Sequence, residues 1–440
     1  MFFPRGGSAH VTRALASALP ASGWDVTLVS GSRAGAGEAR PFFAGLDLRT
    51  VDFTAALAGD DPLRAEPPMH PSFEDRPGAA DRVFAALDDE LYEHQVATWA
   101  GVLGAAGAAE ADVLYLHHLT PLNEAAARVA PAIPVVVHLH GTELLMLEAI
   151  DQGPPAGWEH AAAWARRMRG WAQAAARVVT QSEGLVERAV RLLGIERERC
   201  FVVPNGYDPE RFAPREVDRA ALWRRHLVED PQGWRPGEEA GSVAYEEDEL
   251  AALAEGPVLL YVGRFTAVKR IGLLVEAFAR ARERFSRSAA LVLLGGHPGE
   301  WEGEHPLETV QRTGAHDVFL AGWHDHDALP DFLNASDAIV LASVREQFGQ
   351  VLVEGMACGL PPLAVDRAGP AEIVEDGKTG WLVEPDDRDG LAAALVALVD
   401  DEEERRRRGE AARRVAAERY AWPALARRVA AMLDEVRGAR

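Results

Sequence analysis

The sequence predicts an α/β protein of two doubly wound domains, and three observations carry that reading. Short apolar runs rich in β-branched residues alternate with longer amphipathic stretches, the order of a parallel sheet crossed by helices. The alternation runs through residues 24–182 and restarts at residue 256 after an aperiodic interval. A chain of 440 residues also exceeds what one hydrophobic core organises, so two domains of about 200 residues each are expected.

In the first half the strands are "WDVTLVS" (24–30), "DVLYLHH" (112–118), "IPVVVHLH" (133–140) and "ARVVTQS" (176–182). A helix precedes them, with Val11, Ala14, Leu15 and Ala18 on one stripe and Gly23 as its stop. Residues 60–78 interrupt this domain without a period. Residues 229–255, rich in Gly and acid, read as a connector or mobile loop. The second half supplies "GPVLLYVG" (256–263), "ALVLLGG" (290–296), "DVFLAGW" (317–323), "DAIVLAS" (337–343) and "LPPLAV" (360–365). The resulting division is 1–215, a connector 216–255, a second domain 256–420 and a terminal helix 421–440 anchored by Trp422. "EEERRRRGEAARR" (402–414) is a solvated helix laced with ion pairs.

Composition excludes several classes. A formal charge of −22 argues against an extended nucleic-acid footprint, which needs excess Lys and Arg. Two cysteines, Cys200 and Cys358, give neither a disulfide framework nor a zinc spacing, and a reducing cytoplasm is the natural setting. No run approaches the ~18 apolar residues of a membrane span, although peripheral contact with a membrane is compatible with the sequence. His117 and His118 are adjacent on a strand and point to opposite faces, so no metal site is read there.

Ligands of doubly wound sheets bind beyond the carboxyl ends of the strands, and the distinctive residues collect there. Glu346 follows "DAIVLAS", and Glu354 lies in the helix after it. The helix start beside Phe348 and Gly349 offers free N–H groups and a positive dipole end to a phosphate. Carboxylates accept hydrogen bonds from paired hydroxyls, so phosphate plus polyol points to a sugar nucleotide. Arg264 and Lys269 follow another strand end and can neutralise a diphosphate. In the first half, Gly6 and Gly7 allow close backbone approach to a ligand, and His140 stands at a strand end. Both domains are thus expected to aim polar groups at one cleft. Taken alone, each glutamate or cation is an ordinary surface charge; the strand-end placement is what sets them apart.

Seven segments then carry a resemblance, in order: "RGGSAHVTRALASALPASGWDVTLVS", "VVVHLHGTE", "VVTQSEGLVERAV", "VVPNGYDPERF", "LLYVGRFTAVKRIGLLVEAFARA", "EQFGQVLVEGMACGLPPLAV" and "GPAEIVEDGKTGWLVEP". The chain resembles the retaining glycosyltransferases of family four, whose GT-B architecture sets two Rossmann-like domains about a central cleft. The resemblance implies that Arg264 and Lys269 hold the donor diphosphate, Glu354 the ribose hydroxyls and Glu346 the donor sugar. It also implies that Gly7 closes over the diphosphate and that His140 lines the donor-sugar pocket. In this architecture the terminal helix returns to the first domain.

The implied activity is transfer of a sugar from a nucleoside diphosphate to a small-molecule, glycan or lipid-linked hydroxyl. One carboxylate is taken by ribose, so the two-carboxylate scheme of retaining glycosidases lacks a partner. Front-face displacement is expected instead, with no cofactor and no metal; no Asp-x-Asp pair is placed to hold one. The competing readings are an epimerase-like isomerase and a catalytically silent sugar-nucleotide-binding protein. The chain opens "MFFPRGG", where the architecture has a full apolar strand in the middle of the first sheet. That strand is missing, and a segment of about six residues upstream of Met1 is expected to supply it.

Overall fold

A computed structural model describes residues 7–35, 38–73, 82–346 and 348–439. The chain divides into two units, Met1–Asn205 with Trp422–Arg440, and Gly206–Ala421.

In the first unit the strands β1 (Thr27–Ser32) and β2 (Asp47–Asp52) form a parallel pair. A separate parallel sheet runs in the order β3 (Leu114–His117), β4 (Val135–His138), β5 (Arg177–Thr180), β6 (Cys200–Val202). The alternation of side chains explains why these strands are apolar throughout: Val137 and Val178 face one cluster while their neighbours Val136 and Val179 face another. The first cluster includes Phe84 stacked on Trp164 at 4.6 Å. In the second, the helix Gly7–Ala18 packs Val11 and Leu15 beside Leu425, Val429 and Leu433 of the helix Trp422–Gly438. The first helix passes into a 3₁₀ turn that stops at Gly23, whose φ of 86° only glycine adopts cheaply.

The second unit holds one six-stranded parallel sheet in the order β12 (Trp381–Val383), β11 (Pro362–Val365), β10 (Ala338–Leu341), β7 (Val258–Val262), β8 (Ala290–Leu294), β9 (Val318–Gly322). Strand order reverses between β7 and β10. That is the topological switch point, where the connecting helices depart to opposite faces and leave a crevice at the carboxyl ends.

Residues 216–255 are a folded part of this second unit rather than a connector. Trp223, Leu227, Trp234 and Val243 are all buried. The Trp234 indole donates to the carbonyl of Gly296 (3.3 Å), and the Tyr245 hydroxyl accepts from the Leu320 amide (2.8 Å). These anchors sit at irregular spacings, on the helix Arg219–Arg224, a π-turn over Arg225–Glu229 and open chain, so no period announces them. Strands β2, β6 and β12 also lie outside the expected set. No helix among the described residues is long and apolar enough to cross a membrane.

Candidate functional site

The switch point of the second unit gathers most of the expected residues. After β7 the chain turns through Arg264 to the 3₁₀ turn Ala267–Lys269; after β10 it turns through Glu346 to the helix Gln350–Ala357. Two bonds lash these loops together: the carbonyl of Val268 accepts from the Val344 amide (3.0 Å) and from the Ser343 hydroxyl (3.3 Å). The Lys269 ammonium consequently donates to the Glu346 carboxylate, and each side chain is only 19% exposed. The loop after β11 closes the third side, where the Gly369 amide donates to the Glu346 carbonyl at 3.1 Å. A side chain at Gly369 would put its Cβ 2.2 Å from the Phe348 carbonyl, so this approach requires glycine.

Gly349 caps the helix Gln350–Ala357 with a φ of 101°, and no side chain occupies the cap. One turn in, Glu354 is buried. Its Oε1 accepts from His326 Nε2 (2.9 Å) and Gln350 Nε2 (3.1 Å), while Oε2 has no partner among the described residues. Arg264 is exposed and free of ion pairs among the described residues; the buried Tyr261 hydroxyl donates to its carbonyl at 3.0 Å. Phe348 is buried edge-on against Tyr420 (5.9 Å). Beyond β8 and β9 lies a pocket of about 420 Å³ lined by Gln232, Glu238, Glu239, His297, Pro298 and Trp323, among others. Trp323 shows 49% of its surface there, unusual for a tryptophan.

The remaining expected residues belong to the first unit. Gly7 opens the helix Gly7–Ala18 and is exposed, with nothing within 4 Å of where a Cβ would stand; Gly6 lies outside the described residues. His140 follows β4, with Nε2 2.9 Å from His117 Nδ1 and Nδ1 3.1 Å from Gln181 Nε2. Its amide donates to Glu143 Oε2 (3.1 Å), whose other oxygen engages His118 Nδ1. Burial, and then the neighbouring imidazoles, hold His140 and His117 well below the usual histidine range. His138 is pushed down to about 3, first by burial and then by His118.

Three features escape a reading from sequence. His326 and Trp323 occur in "GWHDHDAL" just after β9, so the same strand-end rule could have singled them out. Closeness of His138 to His117 depends on the register of β3 on β4, which pairs these residues directly and which no local pattern reveals.

Comparison with known proteins gives the same division of the chain. The family profile described as Glycosyltransferase Family 4 matches residues 5–211, and that described as Glycosyl transferases group 1 matches residues 246–415. A D-inositol 3-phosphate glycosyltransferase of Catenulispora acidiphila is 30% identical over 259 residues, 58% of this chain and 54% of that protein. One from Acidothermus cellulolyticus is 30% identical over 329 residues, 71% of this chain and 65% of that protein. The chain thus spans little more than half the length of the first of these relatives. Among solved structures, a sucrose-phosphate synthase from Thermosynechococcus elongatus matches with a TM-score of 0.62 at 21% identity, covering 100% of this chain and 96% of that one. Anabaena HepE in complex with UDP and glucose matches with a TM-score of 0.62 at 19% identity, covering 98% and 96%. These likenesses establish a GT-B fold. With one profile over each unit and the motifs in order between them, the chain belongs to glycosyltransferase family 4.

Proposed function

We propose that this protein transfers a hexose from a nucleoside-diphosphate sugar to an acceptor hydroxyl with retention of configuration. The observation that carries the reading is the Lys269–Glu346 pair astride the switch point between β7 and β10, beside the uncapped helix start at Gly349. A cation, a carboxylate and free helix N–H groups at one strand end suit a sugar diphosphate. Glu354 Oε2 is the acceptor for ribose hydroxyls, with His326 and Gln350 fixing the carboxylate from its other oxygen. The base fits the pocket beyond β8 and β9, where the Trp323 ring offers a stacking face.

Before the donor arrives, Lys269 and Glu346 hold one another in place. A diphosphate brings more negative charge than the carboxylate, so Lys269 turns to the β-phosphate together with Arg264. Glu346 is thereby released to the sugar. As the anomeric C–O bond breaks, negative charge grows on the leaving phosphate oxygen, where Arg264, Lys269 and the helix end stabilise it. The acceptor oxygen attacks from the same face, and its proton passes to the departing phosphate. This chain's own cations do the work at the leaving group, and no metal enters the step.

The experiment is release of nucleoside diphosphate from UDP-, GDP-, ADP- and dTDP-sugars, with and without polyol, glycan and lipid-linked acceptors, followed by the anomeric coupling of the product. Acceptor-dependent release with the donor's anomeric configuration supports the reading. Release without acceptor supports the isomerase, and an inverted product removes the front-face scheme.

A further inference from the structure

We infer that His117, His138 and His140 form a binding site for one divalent transition-metal ion of the zinc class. β3 ends in His117 and β4 in His138, and the parallel register places the two side by side. His140 lies two residues on and returns to the same side, its ring stacked on His138 at 4.6 Å. One ring nitrogen from each of the three lies within 4.8 Å of the others. Nitrogens sharing a tetrahedral zinc at about 2.0–2.1 Å stand about 3.3 Å apart. His117 Nδ1 and His140 Nε2, at 2.9 Å, are already close to that separation. The third needs a shift of about 1.5 Å or less, which rotation about the broad χ2 of histidine supplies.

The hydrogen bonding points the same way. His138 is fully buried, with Nδ1 3.0 Å from the Tyr115 hydroxyl and Nε2 without a partner among the described residues. When Nδ1–H donates to Tyr115, the buried Nε2 carries a lone pair with nothing to receive it except a cation, and Tyr115 becomes the outer partner that fixes the ring. His140 binds through Nε2 when Nδ1–H donates to Gln181, which requires the Gln181 amide to present its oxygen at the 3.1 Å contact. His118 is engaged by Glu143 and takes no part. Three imidazoles favour zinc, cobalt, nickel or copper over magnesium and calcium, which take oxygen ligands, and they leave one position for water or an anion.

The test uses the full chain, stripped with chelator, dialysed and titrated with Co²⁺. One equivalent is expected to bind with a visible d–d band of tetrahedral type that equimolar Zn²⁺ abolishes. His138→Gln and His117→Gln should each weaken binding by at least about 100-fold, more than loss of an outer partner costs. Tyr115→Phe, which keeps all three ligands, should weaken it by about 10–100-fold. Circular dichroism of the metal-free variants checks their fold. If a buried variant fails to fold, the partly exposed His140→Gln takes its place in the same comparison. Absence of a cobalt band in the wild type at millimolar metal, or a band that survives the ligand substitutions, overturns the inference.

Discussion

Replacing Glu354 by Gln tests the division of labour in the second unit. The carboxylate is buried, with a side chain 4% exposed, and its Oε1 is committed to His326 and Gln350. An amide that keeps its oxygen at the Oε1 position preserves both bonds and places an NH₂ where Oε2 stood. Hydroxyls that donated to an ionised oxygen then face a donor. A hydrogen bond to a charged group contributes about 1.5–3 kcal/mol and a neutral one about 0.5–1.5 kcal/mol, so the exchange should lose about 1–2.5 kcal/mol. Affinity for the nucleoside diphosphate should fall roughly 5- to 70-fold. Calorimetry with the tightest binder among UDP, GDP and ADP measures this, and its 2′-deoxy counterpart completes a double-mutant cycle. The wild type should lose affinity on removal of the 2′-hydroxyl, and Glu354→Gln should be nearly indifferent to it. Affinity within twofold of wild type, or an equal deoxy penalty in both proteins, refutes the assignment of Glu354 to the ribose.

Lys269→Ala and Arg264→Ala should each lower turnover by on the order of 100-fold, since each removes charge from the leaving group, and near-native rates in both would take them out of the site. Glu346→Gln should leave nucleoside-diphosphate affinity unchanged or raised, because it frees Lys269, while transfer falls; calorimetry beside a turnover assay separates the two effects, and lost affinity with intact transfer would reverse the roles. Turnover should persist in EDTA, and its loss with recovery on added magnesium would place a metal in the reaction. In the metal-free chain, His138 titrates near 6.5 when unfolded but at about 3 when folded, so the unfolded state binds the proton first. This group's contribution is complete above pH 6.5 and is lost as pH falls towards 3, at about 1.4 kcal/mol per pH unit; denaturant melts of wild type and His138→Gln should show a shallower acid slope in the variant.

Much of this architecture was legible because parallel strands buried on both faces write themselves as short apolar runs. "VVVHLH" and "LVLLGG" needed only length and β-branching to be recognised. Strands β2, "DLRTVD", and β6, "CFV", carry too little apolar character or length for that rule. The segment around Trp223 and Trp234 failed for another reason: its burial depends on single large side chains inserted at irregular intervals, and periodicity is blind to those. In the candidate site, the positions of Glu346, Glu354 and Lys269 after strands and helix starts single them out in the sequence. What stayed hidden was pairing across the fold. Lys269 and Glu346 lie 77 positions apart, and they meet only because β7 and β10 are neighbours at the switch point. The same holds for His326 on Glu354 and for His138 beside His117.

On the proposed reading a sugar nucleotide binds at this switch point, held by Lys269, Glu354 and their neighbours. Calorimetric titration of the intact chain with UDP-, GDP-, ADP- and dTDP-sugars tests it most directly. One donor should bind with a Kd between about 1 μM and 1 mM, the range usual for enzyme substrates. Its affinity should drop at least about fivefold in both Lys269→Ala and Glu354→Gln, a loss of about 1 kcal/mol or more. Binding that neither substitution weakens, or no heat from any donor at millimolar concentration, would remove the donor from this switch point.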